Sequence, residues 1–151
     1  MNIPPEILAL LEAEKFCFLS TSYRDRPHVC LMNFTFLKDE ALIILSSRLD
    51  TIKVKNILKN PTVALLFHNL GNGEEIPVSC TLYGTASVLP PDQDVPYREI
   101  HYQNHQDMGT FIMGSNICII GVGIQGATLA DIKDRVRTWS TADSLNGTPA
   151  P

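Results

Sequence analysis

Apolar segments of strand length recur along this chain, and they do not alternate regularly with helical segments. Strand patterns cover residues 15–23, 28–37, 41–46, 62–68, 78–88, 117–124 and 127–139. Helical spacing is found at residues 4–14 and 51–60, and less regularly at 92–106. This pattern favours an antiparallel barrel over a doubly wound parallel sheet. We therefore predict a mainly β fold, with six to seven antiparallel strands and short helices covering the ends of the barrel.

A glycine marks the middle of the predicted strand at residues 78–88. Gly84 stands among alternating residues where a glycine indicates a bulge or a sharp bend. Such a bend allows a sheet to close on itself. The pattern G-x-G-x-x-G at residues 121–126 is not taken as a dinucleotide-binding turn, because that motif needs further parallel strands and only 25 residues follow it.

Length and charge bound the domain organisation and the partners. A chain of 151 residues is sufficient for one core, which we place at residues 1–139, and the polar residues 140–151 predict a disordered tail. The formal net charge of −4 gives no electrostatic reason to bind nucleic acid or an anionic membrane. No apolar run approaches the roughly 18 residues of a membrane span, and no signal peptide is recognisable. We expect a soluble, cytoplasmic protein.

The metal-ligating and nucleophilic residues show no reactive pattern. His101 and His105 have the i,i+4 spacing of two metal ligands, but no third ligand is evident, so we predict surface histidines and no metal site. No nucleophile elbow is present. The four cysteines lie inside apolar runs without C-x-x-C spacing, so we expect buried, reduced thiols at Cys17, Cys30, Cys80 and Cys118.

Residues 51–60 predict a short helix between two strands. Asp50 or Thr51 is the expected N-cap, because either side-chain oxygen can accept a free backbone N–H of the first turn. The Asn-Pro pair at 60–61 ends the helix, since a residue before proline avoids the α region. An apolar stripe gives the helix one face for burial, formed by Val54, Ile57 and Leu58.

Cations crowd the start of this helix, where the macrodipole already carries about half a positive charge. They are Arg48, Lys53 and Lys55. Free N–H groups, nearby hydroxyls and the Lys53 ammonium together form the donor set that a phosphate monoester needs. The hydroxyls are those of Ser46, Ser47 and Thr51. A merely solvated lysine face is the alternative that these residues leave open.

The succession of segments resembles the pyridoxamine 5'-phosphate oxidase-like family of FMN-binding split barrels. Its most specific part is TIKVKNILKNPTVALLF, which follows the strand LIILSS. Further matching segments are FLSTSYRDRPHV, VSCTLYGTA and RVRTW, so the resemblance runs from Phe16 to Trp139. The family's fold implies a split β-barrel here, with FMN in a groove between the two subunits of a homodimer.

The resemblance also implies which residues contact the cofactor. Phosphate contacts carry over to Thr51 and Lys53, with Ile52 between them, and strand-end contacts to Ser46 and Ser47. The face toward the flavin ring corresponds to Cys30, Leu31, Met32 and Asn33. A further polar position, on a later strand, corresponds to Ser79.

Departures from the family pattern shape the functional expectation. Pyridoxamine phosphate oxidases proper have arginines where this chain has Cys30 and Ile52, and Ser79 replaces a longer amide. The chain also lacks their basic C-terminal segment, so we do not expect vitamin B6 oxidation. The resemblance implies an FMN-dependent oxidoreductase that acts on another small molecule, with no acid or base assigned. The alternative is a non-catalytic module that binds flavin, deazaflavin or haem, or a barrel that has lost its cofactor.

Overall fold

The computed structural model describes residues 2–73 and 76–141. It contains four α-helices, namely α1 (Pro5–Ala13), α2 (Ile52–Lys59), α3 (Val95–Asn104) and α4 (Thr110–Met113). The eight strands are β1 (Phe16–Tyr23), β2 (Arg26–Asn33), β3 (Thr35–Leu37), β4 (Leu42–Arg48), β5 (Thr62–His68), β6 (Val78–Val88), β7 (Ile117–Asp131) and β8 (Val136–Ser140). The predicted tail lies outside the described residues except for Ser140, the last residue of β8, and Thr141.

One antiparallel sheet holds all eight strands. Its order is β2-β1-β5-β6-β7-β4-β3, and β8 pairs with β7 outside this path. β2 and β3 stand at opposite ends of this order, yet only Phe34 separates them along the chain. The sheet must therefore curl until its two edges approach each other. The predicted mainly β barrel architecture is confirmed as a curled half-barrel.

The strand count is eight rather than six or seven because the predicted segment 28–37 divides into β2 and β3. The Phe34 N–H still donates to the Lys15 carbonyl beside β1 (3.1 Å), but from Thr35 onward the chain pairs with β4. The predicted final pair of strands is present, since β7 and β8 pair with each other, but the turn between them follows Asp131 instead of residue 124. β7 runs unbroken through the glycines, and the turn that follows is fixed by the Asp131 carboxylate, which accepts the N–H groups of Lys133 and Arg135.

The bulge predicted at Gly84 is confirmed. Tyr83 pairs with Gly126 and Gly84 pairs with Ile124, so one residue of β7 is left without a partner between them. A Cβ at Gly84 would lie 2.6 Å from the Gly123 carbonyl oxygen, which no side chain could tolerate. The glycines at 121–126 thus serve strand bending, and no dinucleotide-binding turn forms there.

Two helices close opposite ends of the half-barrel, and two cover its outside. α1 packs where β5 ends and β6 begins, whereas α2 is tied to the end of β1 by a hydrogen bond from Asn60 to the Ser22 carbonyl. Both helices contribute apolar residues to the core inside the sheet. α3 and α4 lie against the outer face of β3, β4 and β7. Among the described residues, no helix has the length and apolar character required to cross a bilayer.

Candidate functional site

A groove of about 550 Å³ lies between the α2 end of the half-barrel and the α3–α4 cover. This volume is in the range of small-molecule sites, which measure about 300–1,000 Å³. The groove brings together seven of the ten sequence-predicted site residues, Leu31, Met32, Asn33, Ser46, Ser47, Thr51 and Lys53. Arg48, one of the cations noted at the start of the helix, also lines the groove. The lining residues that were not anticipated are Phe16, His101, Met108, Phe111, Ile112 and Ile117.

Local hydrogen bonds build the polar side of the groove at the junction of β4 and α2. Thr51 is the N-cap, and its hydroxyl oxygen accepts the Val54 N–H at 3.4 Å. Asp50, the other candidate cap, instead pairs with the exposed Arg48 guanidinium at 3.5 Å. The first-turn N–H groups of Ile52 and Lys53 have no intrahelical acceptor, so they are available to an anion.

The hydroxyls of Ser47 and Thr51 form hydrogen bonds to the backbone of this junction and are not free to donate to a ligand. Ser47 Oγ and Thr51 Oγ1 lie 3.0 Å apart, and they reach the Arg48 carbonyl oxygen at 2.9 and 3.1 Å. Their protons therefore have acceptors within the chain. An anion at this end would be held mainly by backbone N–H groups and by the cations of Lys53 and Arg48.

Burial on α2 differs in part from the predicted stripe. Val54 and Ile57 are buried as expected, but Leu58 is 66% exposed. Asn56 takes its place on the buried face, where its amide donates to the Thr21 hydroxyl at 3.0 Å. This orientation turns Lys53 to the groove and leaves Lys55 exposed to solvent.

An ion pair and two backbone contacts assemble the α3–α4 side. The Arg98 guanidinium lies 2.7 Å from the Asp94 carboxylate, and both groups are largely buried. Arg98 also donates to the carbonyls of Ile112 (2.5 Å) and Ile117 (2.9 Å). One side chain thus joins α3 to α4 and to the start of β7. Apart from helical spacing, the sequence carries no signal for this arrangement.

The prediction of surface histidines was wrong for His101 and His105, which are 0% and 5% exposed. His101 Nδ1 lies 2.8 Å from the Thr35 hydroxyl, and His105 Nε2 lies 2.7 Å from the Phe34 carbonyl oxygen. Their rings meet edge to face at 4.9 Å. The two histidines anchor α3 to the break between β2 and β3. They bond there to the Thr35 hydroxyl and to the Phe34 carbonyl.

Burial, with a smaller contribution from His105, lowers the pKa of His101 to about 4. The ring is therefore neutral at physiological pH. Within residues 2–73 and 76–141, no three potential metal ligands lie together.

Three predicted site residues do not line the groove. Cys30 is half-buried on β2, where burial raises the pKa of its thiol and nearby Lys53 opposes that rise. Ile52 is 57% exposed at the start of α2. Ser79 lies on β6 and pairs with His68 of β5, and two strands, β1 and β5, separate β6 from β2. All four cysteines are free, and the predicted absence of disulfides is confirmed.

An exposed apolar face adjoins the groove. Direct partners in an antiparallel sheet lie on the same face, and the register aligns Leu31, Phe18 and Leu66 across β2, β1 and β5. We call this surface the apolar sheet face, and its most exposed members are Phe16, Val29, Leu31, Leu66 and Tyr83. Phe16 and Leu31 also line the groove, so the groove opens onto this face.

Comparisons with known proteins agree with this architecture. The family model of pyridoxamine 5'-phosphate oxidase matches residues 3–116. A Schizosaccharomyces pombe protein named as a homologue of that oxidase is 28% identical, over 92% of this chain and 91% of its own. Two solved structures share the fold at 14% identity. They are a haem-binding protein from Mycobacterium smegmatis (TM-score 0.76, covering 93% of this chain and 60% of that one) and an FAD-binding protein from Mesorhizobium loti (TM-score 0.72, 85% and 94%).

Proposed function

The chain belongs to the pyridoxamine 5'-phosphate oxidase family, and on that premise we propose that it binds FMN in the groove. We further propose that it acts as a flavin-dependent oxidoreductase on a small molecule. The observation that carries this proposal is the meeting, in one groove, of a cationic helix N-terminus with an apolar and aromatic wall. FMN has these two parts, a phosphate and a planar ring.

The α2 end of the groove suits the phosphate. Backbone N–H groups at the start of the helix point toward a bound anion, and the helix dipole favours negative charge there. The Lys53 ammonium adds a charge-assisted hydrogen bond, and Arg48 stands at the end of β4 beside it. Without a ligand these cations oppose the helix dipole, so their placement itself supports an anion as the occupant.

The remaining walls suit the flavin ring. Phe16 and Leu31 approach from the sheet, while Phe111, Ile112 and Ile117 approach from the α3–α4 side. Apolar and aromatic surfaces on two sides exclude water and favour a flat ring between them. When bound, FMN would supply the redox chemistry, and the protein would bind the cofactor, orient it and limit the access of water.

The apolar sheet face supports a homodimer. Large side chains that are about half exposed, such as Val29, Leu31 and Tyr83, form a continuous surface next to the groove. A second copy would cover this surface and add a further wall to the groove, which is open on that side. This arrangement would also bring the partner's copy of β6, with Ser79, near the ring.

Dimer formation is testable with a pair of matched variants. Light scattering of the parent protein should report twice the 16.7 kDa of one chain. Val29→Glu places a charge on the apolar sheet face and should give monomers. Ile132→Glu changes an equally exposed side chain in the β7–β8 turn and should leave the dimer intact. A parent protein that scatters as a monomer would contradict the proposed assembly.

A non-catalytic binding module is the second candidate, supported by the state of the polar end. Ser47 and Thr51 direct their hydroxyls to the Arg48 carbonyl, and positions 30 and 52 hold cysteine and isoleucine. The phosphate end therefore offers fewer side-chain donors than an arginine-rich site, and binding of flavin, deazaflavin or haem without turnover would follow.

The absorbance spectrum separates FMN binding from haem binding and from a barrel without a cofactor. Protein as isolated, or after addition of FMN and removal of the excess, should show flavin bands between about 370 and 450 nm, perturbed by the apolar wall. A haem spectrum in the isolated protein, or complete loss of added FMN on gel filtration, would contradict the FMN proposal.

A further inference from the structure

One ring nitrogen of His101 has no partner within residues 2–73 and 76–141. The side chain is fully buried and lines the groove, and in the part of the chain that the structure describes its Nε2 has no hydrogen-bond partner. Buried polar atoms are normally paired, so an unpaired one calls for an explanation. The other ring nitrogen, Nδ1, is already bonded to Thr35 and holds the ring in place.

The contacts of Thr35 favour one of the two neutral forms of the His101 ring. Asn104 Nδ2 donates to Thr35 Oγ1 at 3.3 Å, so this amide nitrogen does not accept the hydroxyl proton of Thr35. Of the partners of Thr35 Oγ1, only His101 Nδ1 can accept the hydroxyl proton, at 2.8 Å. With Nδ1 as the acceptor, the proton of the neutral imidazole is on Nε2. His101, one of the residues that line the groove, therefore carries a buried N–H donor without a partner among the described residues.

We propose that His101 is a positioning residue for the cofactor, whose Nε2–H donates a hydrogen bond to an acceptor atom on the flavin ring. This inference rests on the proposed FMN function and assigns a role to a residue outside the phosphate end. The anchor to Thr35 fixes the ring orientation before the cofactor binds, so little side-chain entropy is lost when the bond forms.

The surroundings of His101 favour the ring over the phosphate as its partner. His101 reaches the groove from α3, and its neighbours along that wall are the apolar Ile112 and Ile117. The cations Lys53 and Arg48, in contrast, line the groove at the β4–α2 junction. Burial lowers the pKa of His101, so the side chain stays neutral at pH 7. A neutral donor in apolar surroundings suits a carbonyl or ring nitrogen, whereas a dianion favours charged donors.

Two substitutions at position 101 separate anchoring from donation. In His101→Asn, the short amide can still reach Thr35 in the place of Nδ1, but no donor remains where Nε2 stood. In His101→Gln, the longer amide restores an N–H near the Nε2 position and gives up the Thr35 contact. Dissociation constants for FMN and for riboflavin, which has the ring without the phosphate, are measured by quenching of flavin fluorescence. The melting temperature reports any loss of anchoring.

The expected result is a loss of affinity that is equal for FMN and riboflavin, because the proposed hydrogen bond is to the flavin ring and not to the phosphate. His101→Asn should bind FMN and riboflavin more weakly by the same factor, about three- to tenfold for one neutral hydrogen bond, and His101→Gln should bind both within about twofold of the parent. Parent-like binding by His101→Asn would overturn the inference. So would equal weakening in both variants, or a loss confined to FMN. A parent protein that binds no FMN would instead refute the proposed function itself, so the two failures are distinguishable.

Discussion

The two sides of the groove are held in place by different kinds of interaction. At the β4–α2 junction the side-chain hydrogen bonds join residues one to four positions apart, such as Ser47 with Arg48 and Thr51 with Val54. On the α3–α4 side the decisive bonds join distant residues. His101 and Thr35 are 66 positions apart, and His105 and Phe34 are 71 apart.

This difference predicts how each side responds to perturbation. Local bonds form whenever the short segment adopts its turn and helix, so the phosphate end should persist as long as α2 does. The α3–α4 side forms only after the sheet has brought β3 beneath α3, so it should be the more sensitive to buried charge and to pH. Its integrity depends on Arg98, His101 and His105.

The largest effect should come from removing the buried cation of the α3–α4 side. Arg98→Leu leaves the Asp94 carboxylate buried without its partner and releases the carbonyls of Ile112 and Ile117. Loss of one partner of a buried ion pair costs about 3–5 kcal/mol, so the free energy of unfolding in urea should fall by that amount.

The matched control for Arg98 is an exposed ion pair with the same i,i+4 spacing. Arg135 pairs with Asp131 at 2.6 Å, but the arginine side chain is 62% exposed. Arg135→Leu should therefore cost less than about 1 kcal/mol. Equal losses from Arg98→Leu and Arg135→Leu would mean that the α3–α4 side does not depend on its buried charges.

A second prediction concerns the pH dependence of stability. The pKa of His101 is about 4 in the folded chain, against the usual 6.5 of a histidine side chain. Between these values the unfolded chain binds a proton that the folded chain does not, so the free energy of unfolding falls as the pH falls through this window. Integrated over the shift, the contribution is about 3 kcal/mol, present above pH 6.5 and lost as the pH approaches 4.

The measurement compares the parent with His101→Gln, in which position 101 cannot titrate. Unfolding free energies at pH 7 and pH 4 should differ less in the variant than in the parent, by about 3 kcal/mol. The same pH dependence in both proteins would show that His101 is protonated as easily when folded as when unfolded.

The third prediction concerns the phosphate end. Lys53→Ala removes a charge-assisted hydrogen bond to the phosphate, so FMN should bind about 10- to 100-fold more weakly, which corresponds to about 1.5–3 kcal/mol. Lys55, two residues on and exposed, is the matched control, and Lys55→Ala should bind FMN within about twofold of the parent. Thr51→Ala removes the N-cap of α2 and not a phosphate donor, so it should weaken FMN binding less than Lys53→Ala does. Equal effects of the two lysine substitutions would indicate only a solvated helix face.

The contrast between the two sides also explains what could be predicted from the sequence. The helix at residues 52–59, its end before Pro61 and the bulge at Gly84 depend on local chemistry, and all three were predicted correctly. Seven of the ten site residues inferred from the resemblance line one groove. Four of them lie on α2 or just before it, at positions 46, 47, 51 and 53, and the other three lie on β2. The choice between Asp50 and Thr51 as N-cap required the structure, since both side chains can make the same bond.

What the sequence did not predict depends on contacts between distant segments. Nothing near His101 indicates that Thr35 lies beneath it, so a histidine on a polar helix was taken for a surface residue. Leu58 was assigned to the buried face because its spacing fits, but the Thr21 hydroxyl gives Asn56 a buried partner instead. The division of segment 28–37 at Phe34 follows from sheet closure, a property of the whole fold.

The central claim is that the groove binds a phosphate-bearing flavin by its phosphate and by its ring, and calorimetric titration of the parent protein tests it most directly. FMN and riboflavin are titrated separately at pH 7 and low ionic strength. We predict that both bind and that FMN binds about 10- to 100-fold more tightly, because only FMN engages the helix N-terminus and Lys53. Equal affinities for the two flavins, or no heat of binding from FMN, would contradict the account.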